Sequence, residues 1–233
     1  MALLETENLV AFYGDFQALY GIDTTVDAGE TIAVIGANGA GKSTYLHSVT
    51  GLHRGAGDAV RFDGRVIGNL SAPEIVKLGI SLVPEGRRLF TSLNVEENLA
   101  IGNYGREPSG HWTLDTIFEL FPVLKELRTQ PVTALSGGQQ QMVAFGRALI
   151  SNPRLLLCDE VSLGLSPAVI KDIYATLPVI KRSGTAVMLV EQDVHRALSV
   201  ADRVYCFMEG RVTLSGHPSE FDHAAIRNAY FGT

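Results

Sequence analysis

Nine consecutive residues, Gly36-Ala37-Asn38-Gly39-Ala40-Gly41-Lys42-Ser43-Thr44, carry the spacing G-x-x-x-x-G-K-[ST]. Glycines have no Cβ, so the backbone can wrap tightly and turn successive N–H groups inward toward one anion. Lys42 adds a mobile positive charge suited to the β- and γ-phosphates of a nucleotide. The Ser43 hydroxyl is a hard oxygen ligand of the kind Mg2+ takes. Gly36, Asn38, Gly39, Gly41, Lys42, Ser43 and Thr44 are therefore candidate phosphate-binding residues.

A second group ends the apolar run Leu155-Leu156-Leu157-Cys158-Asp159-Glu160. A buried strand that ends in acids delivers them to the carboxyl edge of a sheet, where open α/β folds bind ligands. Asp159 is placed to hold Mg2+, directly or through water, and Glu160 to polarise an attacking water. A third group is Leu135-Ser136-Gly137-Gly138-Gln139. Ser136 has the character of an N-cap, and two glycines leave helix N–H groups accessible, which makes an anion site. One domain seldom needs two γ-phosphate sites. These residues therefore serve a neighbour's nucleotide, or they are a plain glycine-rich cap.

The elements that must position these groups read as an α/β fold. Thr31–Ile35 has the composition of a buried parallel strand, and residues 45–52 follow the phosphate loop as a helix. Residues 3–13 and 18–26 predict an antiparallel N-terminal sheet, and Asp63-Gly64 predicts a hairpin between 58–62 and 65–67. Residues 72–78 read as a short helix and 80–83 as a strand ended by Pro84. From 94 to about 130 the apolar spacing is helical, with Asn94 and Glu97 as a capping pair and breaks at Gly102, Gly105, Pro108, Gly110 and Pro122. This predicts a single domain over 1–233, with a small helical subdomain at about 86–151 inserted into a core made of 1–85 and 152–233. The core then continues with a strand at 154–158 and a helix that Ser166-Pro167 opens and that runs to about 182. A strand at 185–190, a helix at 194–200 and a hairpin of 203–208 with 211–214 follow.

Composition narrows the class. The 233 residues are 46% hydrophobic and 19% charged, enough for a sizeable core and too apolar for disorder. The net charge of −6, without a lysine- or arginine-rich run, argues against nucleic acid as a partner. Cys158 and Cys206 each sit in an apolar run and read as buried thiols of a reducing compartment. The first residues carry no basic segment of a signal peptide, and no apolar run approaches the roughly 18 residues of a membrane span. A soluble chain that docks onto a membrane protein is the expectation.

The phosphate loop, Leu135 to Gln139 and Asp159-Glu160, in this order and spacing, resemble the ATP-binding subunits of ABC transporters. The resemblance covers nearly the whole chain. It implies a P-loop NTPase core, ATP and Mg2+ as cofactors, and head-to-tail pairing in which Ser136, Gly137, Gly138 and Gln139 close on the other subunit's ATP. Tyr13 matches the aromatic that stacks on adenine, and Ser162-Leu163-Gly164-Leu165 the loop that crosses the dimer interface. Ser166 stands where many relatives have aspartate, and Val161 where they have proline.

Two further positions depart from the family pattern. Glu85 replaces a glutamine that reaches Mg2+, and Gln192 replaces a histidine that contacts the γ-phosphate; His195 does not fit that place. Gln192 can donate a hydrogen bond but cannot act as acid or base near neutral pH. Glu160 is then the only general base, or turnover is slow. Val83-Pro84-Glu85-Gly86-Arg87-Arg88-Leu89-Phe90, Val95-Glu96-Glu97-Asn98-Leu99 and Leu189-Val190-Glu191-Gln192 are similar to the LivF-like branch of branched-chain amino-acid importers. That likeness implies a second ATP-binding subunit, two permease chains and a periplasmic solute-binding protein, with this chain at the cytoplasmic face. Arg87, Arg88 and Phe90 are its candidate permease contacts, or solvated arginines beside a core phenylalanine.

The alternatives are an importer of urea or short amides, a soluble ATPase acting in DNA repair or on ribosomes, and a non-hydrolysing regulatory module. The soluble ATPase predicts coiled-coil insertions or tandem cassettes, which are absent. The regulatory module predicts loss of Lys42 or Glu160, and both are present.

Overall fold

The computed structural model describes residues 2–104 and 110–232; the breaks expected at Gly105 and Pro108 lie outside the described residues. Strands β1 (Leu4–Tyr13) and β2 (Phe16–Val26) pair antiparallel, and β3 (Thr31–Ile35) leads through the phosphate loop into helix α1 (Lys42–Val49). The β4 (Gly57–Phe62) and β5 (Arg65–Gly68) hairpin turns at Asp63 and Gly64, both at positive φ as a tight two-residue turn requires. Helix α2 (Ala72–Leu78) and strand β6 (Ile80–Val83) follow.

Helices α3 (Val95–Ala100), α4 (Leu114–Leu120), α5 (Pro122–Glu126) and α6 (Gly137–Ile150) fill the middle of the chain. Asn94 and Glu97 cap α3 reciprocally, the Glu97 N–H donating to Asn94 Oδ1 at 2.8 Å and the Asn94 N–H to Glu97 Oε2 at 2.9 Å. The rest is β7 (Leu155–Asp159), α7 (Pro167–Arg182), β8 (Ala186–Glu191), α8 (Val194–Val200), β9 (Arg203–Met208), β10 (Arg211–Gly216) and α9 (His223–Phe231).

Two sheets result, one of order β2-β1-β4-β5 and one of order β10-β9-β3-β8-β7-β6. In the second, β9, β3, β8, β7 and β6 run parallel, so all five carboxyl ends reach the same edge. Alternation along its strands divides the core. Ile32 and Val34, Leu155 and Leu157, and Met188 and Val190 pack with α1 and the four-stranded sheet. Leu156, Cys158, Val187 and Leu189 face the opposite way, against the helices α3 to α7. Ala33, Ile35 and Cys206 lie under α8 and α9.

Four details differ from the sequence reading. Helix α1 begins at Lys42, three residues early, because its N-cap is Gly41 in the left-handed conformation, with no side-chain cap to read. Ser166 stands at the N-cap of α7 but makes no capping bond with its side chain. Phe90 is half exposed, which removes only the alternative that it is a core phenylalanine. Helix α9 has no counterpart in the sequence reading.

Candidate functional site

The parallel register gathers the chemistry. Ile35 pairs with Glu191 and Asp159 with Val190, so the phosphate loop, the acid pair and Gln192 all leave the sheet at one edge. A cavity of about 790 Å³ opens there, lined by Tyr13, Asn38, Gly39, Gly41, Lys42, Ser43, Thr44, Glu85, Glu160 and Gln192.

Gly36, Gly39 and Gly41 all have positive φ. At Gly36 the requirement is also steric, since a Cβ there would run into the Phe207 carbonyl oxygen. Gly36 lies beneath the cavity and anchors its lysine. Lys42, only 4% exposed, donates to the carbonyls of Gly36 at 2.7 Å and Ala37 at 3.0 Å, and its Nζ lies 3.5 Å from Glu160 Oε1. No side chain caps α1, so its first N–H groups keep their donor capacity for an anion.

Asp159 is buried behind the loop and accepts the Ser43 hydroxyl at 3.1 Å. Burial pushes its carboxyl up to about 6; the charges of Glu160 and Glu85 add to the rise, and the Ser43 bond opposes it. Glu160 has φ 47°, a left-handed backbone that non-glycine residues seldom adopt. Its Oε2 accepts Gln192 Nε2 at 2.6 Å. Ser43, Asp159 and Glu85 are an all-oxygen donor set that suits a hard divalent cation. Among the described residues no group of three or more His, Cys, Asp or Glu could hold a metal.

Tyr13 is half exposed at the mouth of the cavity, its ring centroid 4.7 Å from that of His53 and its hydroxyl 3.5 Å from Thr44 Oγ1. Sequence reasoning missed His53, and also Phe16, Tyr20 and Glu209, which line the same cavity; Leu163, read from the sequence as part of an interface loop, lines it too. Phe16 had a signal: Gly14-Asp15 between two β-forming runs predicts the tight turn that pairs Tyr13 with Phe16.

Ser136, Gly137, Gly138 and Gln139 are not among the residues lining this cavity. Ser136 is exposed and caps α6: its Oγ accepts the Gln139 N–H at 3.3 Å, and its own N–H donates to Gln139 Oε1 at 2.9 Å. Gly138 admits close packing, since a Cβ would lie 2.7 Å from the Val169 methyls. A Cβ on Gly137 would lie 3.0 Å from the Arg87 guanidinium, which also donates to Gln140 Oε1 at 3.2 Å. Arg147 donates to the carbonyls of Arg88 at 2.8 Å and Arg87 at 2.9 Å and sits 5.6 Å from the Phe90 ring centroid. The 85–90 segment is thus tied to both ends of α6.

This chain belongs to the ABC transporter family: residues 19–162 match the family model of that description. It is an ABC-type ATP-binding cassette, with the α/β fold of that group, and an ATPase subunit of transport. It is 41% identical to the high-affinity branched-chain amino acid transport ATP-binding protein BraG of Pseudomonas aeruginosa, over 99% of this chain and 100% of that one. To the probable branched-chain amino acid transport ATP-binding protein LivF of Archaeoglobus fulgidus it is 33% identical, over 94% and 93%. To the lipopolysaccharide export system ATP-binding protein LptB of Escherichia coli it is 30% identical, over 100% and 98%. A crystal structure of a nucleotide-free ATP-binding cassette from an ABC transporter matches with TM-score 0.83 at 29% identity, covering 98% and 95%. No helix among the described residues is long and apolar enough to cross a membrane.

Proposed function

We propose that this ATPase powers import of branched-chain amino acids from the cytoplasmic face of a membrane. The observation that carries the chemistry is the convergence of Lys42, Ser43, Glu160 and Gln192 on one cavity, with Asp159 directly behind Ser43. The full-length likeness to BraG supports the solute class. Lys42 and the first N–H groups of α1 neutralise and orient the phosphates. Tyr13 packs against the adenine. Ser43, Asp159 and Glu85 would hold Mg2+, which would neutralise charge on the phosphates. Glu160 takes the proton of the attacking water, and Gln192 fixes the Glu160 carboxylate and donates to the γ-phosphate.

Ser136 is exposed, and with Gly137, Gly138 and Gln139 it acts on the ATP of a second cassette, identical or different. Segment 85–90, seated on α6, passes the closing motion to two permease chains served by a periplasmic solute-binding protein. In this reading residues 1–85 and 152–233 form the core, and about 86–151 the helical subdomain.

Purification of the tagged chain from its own membranes in mild detergent should recover two hydrophobic permeases and a second cassette. Recovery with ribosomes or nucleic acid, or from the soluble fraction alone, would sink the importer. Glu160→Gln should keep ATP affinity and lower turnover by on the order of 100- to 1,000-fold in single-turnover assays. Undiminished turnover would place the base elsewhere.

A further inference from the structure

The end of β8 grips the exit of β7 from both faces of the sheet. Alternation sends Gln192 toward the nucleotide cavity, where it holds Glu160 at 2.6 Å. It sends Glu191 the opposite way, toward α7. Glu191 is 2% exposed, and its Oε2 accepts the Ser162 hydroxyl at 2.8 Å. Between these two grips the Glu160 N–H donates to the Val190 carbonyl at 3.1 Å. Residues 190, 191 and 192 therefore hold residues 160 and 162 at three points.

Ser162 begins a tight turn, closed by the Leu165 N–H on the Ser162 carbonyl at 3.2 Å, with Gly164 at φ 70°. Leu163, at its tip, is 55% exposed and lines the nucleotide cavity. A carboxylate is an expensive way to fill this place, since burial penalises its charged form and an apolar side chain would pack at lower cost. The carboxylate is also incompletely served. Glu191 Oε1 and the neighbouring Tyr174 hydroxyl of α7 both lack a hydrogen-bond partner among the described residues. Tyr174 is nevertheless near enough to favour the charged form of Glu191, as Ser162 and Arg196 do, against the larger effect of burial.

We propose that Glu191 is a positioning residue for hydrolysis, linking the exposed 162–165 turn to the strand end that aims Gln192 at Glu160. Pressure on Leu163 moves Ser162, Ser162 moves Glu191, and the peptide between 191 and 192 passes the shift to Gln192. A partner seated on the turn thereby adjusts the group that orients the base. The inference rests on the reading of Glu160 as that base.

The test compares Glu191→Ala, Glu191→Gln, Ser162→Ala and the double variant Ser162→Ala with Glu191→Ala, in the full-length chain, with Glu160→Gln as control. Turnover, ATP affinity from fluorescent-nucleotide titration and thermal melting are read together. Glu191→Ala and Ser162→Ala should each lower kcat about tenfold and leave ATP affinity within about twofold, and the double variant should be no slower than the slower single one. Glu191→Gln keeps an acceptor for Ser162 and should retain turnover within about threefold. Normal turnover in Ser162→Ala, additive losses, or a loss in Glu191→Gln equal to that in Glu191→Ala overturns the link. If Glu191→Ala does not fold, Ser162→Ala and Glu191→Gln decide by the same criteria. An active Glu160→Gln would instead overturn the assignment of the base itself.

Discussion

Two helices of this chain start at glycine-bearing segments, and they start in different ways. Before α1, Gly36, Gly39 and Gly41 take positive φ, the backbone wraps inward, and a buried lysine closes the ring. No side chain caps that helix. Before α6 the chain arrives extended at Ser136, and Ser136 with Gln139 closes the cap using the helix's own residues. The first start keeps its donors uncommitted around a cavity and can hold an anion alone. The second has already satisfied the Gln139 N–H, with Gly137 set beside Arg87 and Gly138 packed on Val169. It can complete a ligand held elsewhere but has no enclosure of its own. Glycine content alone does not distinguish the two; the difference lies in capping and curvature.

The comparison breaks most directly at the first start. Lys42→Ala removes a buried cation and should weaken ATP binding on the order of 100-fold by calorimetry. Near-normal affinity would mean that the two starts do not differ as described. Ser136→Ala should leave the affinity of a single chain within about twofold and lower turnover of the paired cassettes about tenfold. Loss of the cap should cost about 1 kcal/mol, a fall of roughly 2–4 °C in Tm. A Ser136→Ala chain that loses ATP affinity on its own would erase the division of labour.

The smallest effect concerns pH. With its carboxyl pushed up to about 6, Asp159 takes up a proton as pH falls through 6, so cation-dependent ATP binding should weaken there. Added Mg2+ should move that midpoint below 6, because cation and proton compete for one carboxylate. Between the usual value of 3.8 and about 6, the folded chain holds a proton that the unfolded chain releases. The group therefore favours the folded state at low pH, and that contribution is lost as pH rises through 6. The start of α6, capped by neutral Ser136 and Gln139, should show no such titration.

The sequence was most legible where one residue type has one physical use. Asp63-Gly64 placed its hairpin, and Asn94 with Glu97 placed the start of α3, because each pattern satisfies specific backbone groups. The start of α1 was misplaced because a glycine cap carries no side-chain signal. Helix α9 was missed although Asp222 caps its start, accepting the Ala225 N–H at 2.7 Å, and Gly232 ends it; its apolar face is weak, with Ile226 the one buried anchor among the described side chains. The phosphate loop, the acids and Gln192 were readable as types, but their meeting depends on strand order β3-β8-β7, which no local pattern encodes. His53 beside Tyr13 comes from the same source, since those two residues are brought together only by folding.

The two thiols give the molecule its own clock. Cys158 lies one residue before Asp159 and Cys206 on β9; both are fully buried on one face of the central sheet, Cys158 under the helices α3 to α7 and Cys206 under α8 and α9, and burial pushes both thiols up. Neither can meet a water-soluble alkylating reagent until the sheet opens locally. Their labelling rates therefore time the opening of two neighbouring helical layers in the unmodified chain. Ligand that binds at the carboxyl edge should slow the reaction at Cys158 in proportion to its occupancy.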